Sequence, residues 1–127
     1  MDTENNSMLI PAARICCKET RGKNMENIRD LLENFKKDFP EVYKKYEALG
    51  KEIHLEAGPL PEKTRWLLKI AISASTQHKR ALETHIRKAR SAGASDEEIL
   101  HALLLILPTT GFPTFMEAYQ VYTKHMK

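Results

Sequence analysis

The sequence predicts an all-α protein, a bundle of about six helices, and three observations lead to this class. Apolar residues recur at helical spacing from about residue 25 to residue 122. Proline and glycine fall between these periodic segments, where helices begin and end. No stretch alternates apolar and polar residues as a half-buried strand does. We therefore expect helices joined by short turns, without a sheet.

The chain of 127 residues has the length of one domain. We predict a flexible N-terminal tail over residues 1–24, which lack apolar periodicity, and a helical domain over residues 25–127. Met25 opens the periodic part and could itself be a translation start. Cys16 and Cys17 are adjacent, which makes a disulfide between them sterically poor, so we interpret them as free thiols.

Charge and hydropathy exclude several classes of partner. The net charge of +3 comes from 20 basic and 17 acidic residues that are interspersed, so no basic patch predicts nucleic-acid binding. The longest apolar run, residues 103–107, is far shorter than the roughly 20 residues that cross a bilayer. The polar N-terminus does not resemble a signal peptide. These observations predict a cytoplasmic protein with no membrane partner.

The first three helices are delimited by proline. Apolar residues over 28–35 form the first, and Asp38 before Pro40 gives an N-cap for the second. Gly58 and Pro59 end that second helix. The third, roughly residues 61–75, is apolar on most sides, which is typical of a helix enclosed by others.

Capping signals delimit the last three helices. The fourth, roughly residues 78–92, stops at Gly93. Ser95, with Glu98 three residues later, forms a capping box that opens the fifth, whose apolar run ends at Pro108. The last helix begins at the Gly111-Phe112-Pro113 turn.

Four of these stretches together resemble one family. They are Pro61-Glu62-Lys63-Thr64-Arg65, Thr84-His85-Ile86-Arg87-Lys88-Ala89, Ser95-Asp96-Glu97-Glu98-Ile99 and Thr110-Gly111-Phe112-Pro113. Their order, over about residues 40–122, is similar to that of the carboxymuconolactone decarboxylase family. The resemblance implies an orthogonal multi-helical bundle of the alkyl hydroperoxidase D-like (AhpD-like) type. It also implies a homo-oligomer, commonly a trimer or hexamer, with its site on the helix that bears His85.

The resemblance is not to the family's thiol peroxidase branch. That branch carries Cys-x-x-Cys-x-x-x-His with an upstream glutamate, and the corresponding positions here are His78, Ala81 and Trp66. Neither histidine nor alanine forms a disulfide, so disulfide-dependent peroxide reduction lacks its redox pair. We therefore expect no thiol peroxidase activity at this place.

The decarboxylase branch gives the closer match, Glu83-Thr84-His85-Ile86-Arg87-Lys88-Ala89. From it we predict His85 and Glu83 as catalytic residues and Arg87, His78 and Gly111 as substrate-binding residues. The implied ligand is a small anionic molecule resembling a lactone carboxylate. Its loss of carbon dioxide leaves a dienolate, so the site needs a cation to hold the substrate's carboxylate, donors for the developing oxyanion and an acid to protonate carbon. His85 is the candidate acid.

Geometry and spacing limit these roles. Glu83 and His85 are two residues apart and lie on nearly opposite sides of one helix, so Glu83 must reach a neighbouring helix or a second subunit to take part. The five histidines show no zinc-type spacing, so we predict neither a metal nor a cofactor.

Alternatives remain open at this point. His85 is also explained as a buried histidine with one partner, and Trp66 as core filling. At the level of function, the rivals are a peroxidase-type member without the usual cysteine pair and a non-catalytic protein of the same fold. An anionic ligand beside His85, or an empty pocket sealed by Trp66, would separate these interpretations.

Overall fold

The computed structural model describes residues 28–126, with side chains for residues 29–125, and every described regular element is helical. The α-helices are α1 Ile28–Asp38, α2 Pro40–Lys51, α3 Glu62–Ser75, α4 Lys79–Ser91, α5 Asp96–Leu104, α6 Leu107–Thr110 and α7 Phe112–Met126, with a π-helical turn at Glu52–Glu56. The all-α prediction is confirmed for this part of the chain. The predicted tail over residues 1–24 and the thiols of Cys16 and Cys17 lie outside the described residues.

The chain divides into two compact units, the first ending at Ala48 and the second beginning at Leu49. In the first unit, Phe35 near the end of α1 contacts the rings of Phe39 and Tyr43, with centroids 5.6 and 6.3 Å away. Asp38, predicted as the N-cap of α2, is instead the last residue of α1, and Phe39 separates the two helices. None of the described helices combines the length and hydropathy needed to cross a membrane.

The second unit contains the hydrophobic core, and α3 is its central helix. It packs against α4, α5 and α7, while α4 also packs against α7. The largest fully buried side chains are Ile70, Leu82, Ile86, Ile99 and Leu103. One side of α3 stays open, because Leu68 and Ile72 are 48% and 60% exposed. Among the described residues, the prediction that other helices enclose α3 therefore holds for only part of its surface.

The two capping predictions of this unit are confirmed. Gly93 follows α4 with φ of 96°, and the Gly93 and Ala94 N–H groups donate to the carbonyls of Arg90 and Ala89, which is the Schellman arrangement. The Ser95 hydroxyl accepts from the Glu98 N–H, and the Glu98 carboxylate accepts from the Ser95 N–H. These ends fix where α4 stops and α5 starts.

Two features differ from the predicted elements. The fifth helix ends at Leu104 rather than at Leu107, and the four-residue α6 follows with Pro108 in its first turn. Proline is tolerated there because the N–H groups of a first turn have no helical partner. The second feature is the π-helical turn after α2, where simple continuation of the helix was predicted.

Candidate functional site

His85 lies on the face of α4 that packs against α3. Its Nδ1 lies 3.1 Å from the carbonyl oxygen of Lys69 and 3.1 Å from the hydroxyl oxygen of Ser73. The Ser73 hydroxyl itself bonds to the carbonyls of Lys69 and Ile70, at 2.8 and 3.2 Å. Because a carbonyl only accepts, the Lys69 contact assigns the hydrogen to Nδ1.

This tautomer leaves Nε2 of His85 with a lone pair. No group among the described residues forms a hydrogen bond with Nε2, and this atom is not fully buried. The ring is half-buried, so Nε2 retains access to solvent. His85 is thus held at one nitrogen and can exchange a proton at the other.

A cluster of aromatic and cationic side chains, centred on Trp66, lies beside this imidazole. The Trp66 ring lies 5.8 Å from the His85 ring, and on the indole stacks the ring of His54, 4.7 Å away with 29° between the planes. The ammonium groups of Lys69 and Lys88 lie 5.5 and 5.3 Å from the indole centroid. Lys69 Nζ also lies 3.2 Å from His54 Nε2. We call these five residues the Trp66 cluster.

The electrostatics of the Trp66 cluster favour an anion. Burial, then the charge of Lys69, lowers the pKa of His85 below 6.5, although the Lys69 carbonyl works against this shift. Burial, followed by the charges of Lys69 and Arg65, also lowers the pKa of His54. Both rings are therefore neutral at pH 7, while the lysines carry positive charge beside them. A small anion would neutralise this local charge.

Glu83 lies apart from the Trp66 cluster. Its carboxylate accepts from Arg87 one turn along α4, at 2.9 Å, and from Nε2 of His125 on α7, at 3.0 Å. Glu83 thus reaches the neighbouring helix α7, which its spacing from His85 makes a condition for any role in the site. Its partners, however, are Arg87 and His125. The structure does not bring Glu83 and His85 together.

The remaining predicted residues lie at helix ends. His78 precedes α4, and its Nδ1 lies 2.9 Å from the hydroxyl of Thr76. Gly111 follows α6 with φ of 99°. The described contacts of His85 are with α3 and not with either of these residues. Across residues 28–126, no three metal-binding side chains come together.

A cavity of about 280 Å³ lies elsewhere, between α3 and α5. Its lining is mostly apolar and consists of Thr64, Leu67, Leu68, Ala71, Glu98, His101, Ala102 and Leu105. None of the Trp66 cluster contributes to it. The Trp66 cluster, in contrast, combines two histidines and two lysines around one indole, and we place the candidate site there.

Comparison with known proteins decides the family. Residues 40–124 match the Carboxymuconolactone decarboxylase family. The chain belongs to this family. An uncharacterized protein of Methanocaldococcus jannaschii is 29% identical over 91 residues, covering 72% of this chain and 84% of that protein. The crystal structure of an apo carboxymuconolactone decarboxylase family protein from Legionella pneumophila is similar with a TM-score of 0.68 and 25% identity, covering 79% of this chain and 91% of that one.

The family assignment confirms the resemblance and the predicted fold, and the match includes the whole Trp66 cluster. Sequence reasoning singled out His85 but missed Lys69, Lys88 and His54 as its neighbours. Nothing in the sequence distinguished these two lysines from the other polar residues of their helices. For His54 there was no local signal, because the π-helical turn that carries it was not predicted.

Proposed function

We propose that this protein is a cofactor-free decarboxylase, or an enzyme of closely related chemistry, acting on a small anionic substrate resembling a lactone carboxylate. The observation that carries the proposal is His85, anchored through Nδ1 with Nε2 open, next to two lysines and an indole. The family is consistent with this chemistry. The proposal includes a cytoplasmic homo-oligomer.

The bond changes assign a task to each group. The bond between the ring carbon and the carboxylate breaks, carbon dioxide leaves, and the electron pair moves into the conjugated lactone carbonyl as a dienolate. A proton then adds to carbon, so that one proton is consumed for each carbon dioxide released. His85 delivers this proton from Nε2 as imidazolium and regains one from solvent.

The lysines act best at the carbonyl oxygen. A cation beside the developing oxyanion stabilises the transition state, whereas a cation on the leaving carboxylate stabilises the substrate and slows its loss. We therefore assign Lys69 or Lys88 to the lactone oxygen and the indole of Trp66 to the flat ring of the substrate. A lowered pKa makes the His85 imidazolium a stronger acid once it forms, so turnover should rise as pH falls toward that pKa.

Within this proposal, four further residues stay predicted site residues: Glu83, Arg87, His78 and Gly111. Glu83 and Arg87 satisfy each other in the single chain, so a role for them requires a substrate or a second subunit that breaks their pair. The rival function is a binding protein of the family fold without catalysis, which would retain the anion site but no proton transfer.

Carbon dioxide release from carboxymuconolactone by the purified full chain tests the function. We expect turnover by the wild type and a loss of about tenfold or more in Lys88→Met, which removes the cation but keeps the stem over Trp66. Lys124→Met is the matched control, because Lys124 is exposed near the end of α7. Binding of the substrate without carbon dioxide release would favour the rival.

A further inference from the structure

His54 lies outside the four stretches that carry the family resemblance in the sequence, yet it makes the closest ring contact of the Trp66 cluster. It lies in the π-helical turn at Glu52–Glu56, before α3 begins at Glu62. A π-helical turn shifts later side chains around the helix axis relative to an α-helix. The turn therefore provides a specific reason for His54 to face α3.

Two contacts hold His54 in place. Its ring stacks on the indole of Trp66, and its Nε2 lies 3.2 Å from Nζ of Lys69. An ammonium group only donates, so His54 accepts through Nε2 and carries its hydrogen on Nδ1. The ring is neutral, which keeps this lone pair available to Lys69.

Lys69 consequently connects both histidines. Its backbone carbonyl orients His85, and its side-chain ammonium is held by His54. Of its three N–H bonds, one points to His54 and the others stay available to a ligand. A lysine side chain that is not held loses considerable conformational entropy when it binds an anion, and one that is already held loses less.

We propose that His54 is a positioning residue of the anion site, which fixes the ammonium of Lys69 beside Trp66 for an anionic oxygen of a planar ligand. This inference rests on the proposed function for the identity of the natural ligand, but the site itself can be tested by binding alone. His54 acts through Lys69 and does not contact the reacting atoms.

The experiment uses the single tryptophan of the chain as a probe. Because Trp66 is in the site, its fluorescence reports binding there directly. Benzoate serves as the planar carboxylate and cyclohexanecarboxylate as the matched non-planar one. We expect benzoate to bind the wild type more tightly than cyclohexanecarboxylate does.

The variants separate stacking from hydrogen bonding. His54→Phe keeps a ring on the indole but removes the acceptor, and it should weaken benzoate binding about tenfold, because the Lys69 side chain is then ordered only when the anion binds. His54→Gln keeps an acceptor and should weaken binding less. His101→Phe, on an exposed position of α5, is the control and should bind as the wild type does.

A double-variant cycle shows whether His54 acts through Lys69. In a protein that already carries Lys69→Met, adding His54→Phe should cause little further loss of benzoate affinity. If His54 has a purely structural role, His54→Phe should reduce benzoate affinity by the same factor in the wild type and in Lys69→Met, and this result overturns the proposal. If His54→Phe does not fold by circular dichroism, His54→Leu, which also lacks an acceptor, replaces it with the same expected result.

The outcomes distinguish this inference from the proposed function. Benzoate binding that depends on His54, without carbon dioxide release from carboxymuconolactone, leaves the positioning role intact and rejects the decarboxylase. No benzoate-dependent change in Trp66 fluorescence, or equal affinity of the wild type and His54→Phe, rejects the positioning role whatever the activity.

Discussion

Replacing His85 with glutamine separates catalysis from stability. The amide nitrogen of glutamine corresponds in position to Nε2 of histidine and not to Nδ1, so the substitution removes both Nδ1 contacts and the ring packing against Trp66. One neutral hydrogen bond is worth about 1 kcal/mol. For a unit of this size, 1 kcal/mol corresponds to a fall in melting temperature of about 4–8 °C, so the loss of both contacts corresponds to about 8–16 °C.

The expected effect on turnover is much larger. Glutamine does not transfer protons at neutral pH, and general acid–base catalysis contributes about 10²–10⁴-fold. We therefore expect kcat for carbon dioxide release from carboxymuconolactone to fall by about that factor in His85→Gln. Benzoate binding, followed by Trp66 fluorescence, should change much less, because the lysines remain.

The neighbouring residue provides the matched control. Ile86 is 1% exposed in the core, and Ile86→Ala should cost about 2–5 kcal/mol without touching the imidazole. Thermal unfolding by circular dichroism and turnover are measured for both variants. If His85→Gln melts as low as Ile86→Ala and retains turnover, the histidine is structural and the catalytic assignment is wrong.

Three further predictions concern pH, a helix end and assembly. The pKa of His85 is lowered by burial and then by Lys69, with His54 and Lys88 acting in the same direction, so the folded protein binds fewer protons than the unfolded chain below pH 6.5. The contribution of this neutral ring to the free energy of unfolding is complete above pH 6.5 and is lost as pH falls toward the lowered pKa. In urea unfolding from about pH 5 to 8, the free energy of unfolding should therefore depend less steeply on pH in His85→Gln than in the wild type. Gly93→Ala should destabilise the protein by about 1–2 kcal/mol in thermal unfolding, because φ is 96° there and nothing lies within 4 Å of the added Cβ, so the cost is backbone strain alone. Light scattering of the full chain should give the mass of a trimer or hexamer, and a monomer mass at micromolar concentration would remove the role proposed for a second subunit at Glu83.

Local signals in the sequence predicted two helix ends correctly, at Gly93 and Ser95, whereas the N-cap at Asp38 and the helix end at Leu107 were wrong. Gly93 and the Ser95–Glu98 box act within one turn, so residue type alone was enough to identify them. One partner of His85 is a backbone carbonyl on α3, which any residue at position 69 would supply, and the other is the Ser73 hydroxyl, which lies twelve residues away in the sequence and matches no local motif. His54 was missed for a related reason, since its position depends on a π-helical turn that no local signal in the sequence predicted.

The residue at position 66 determines how a proton can reach His85. In the thiol branch that the sequence resembles less closely, a glutamate relays protons, and the resemblance places Trp66 at the position of that glutamate. The indole has no group that exchanges protons at neutral pH. The Nδ1 hydrogen of His85 is committed to the Lys69 carbonyl, so it offers no second route through α3. This leaves Nε2 as the nitrogen through which His85 can exchange a proton with solvent. This arrangement suits a reaction that consumes one proton per cycle, as decarboxylation does, and does not suit a thiol relay, which has to shuttle protons between two sulfur atoms and a base.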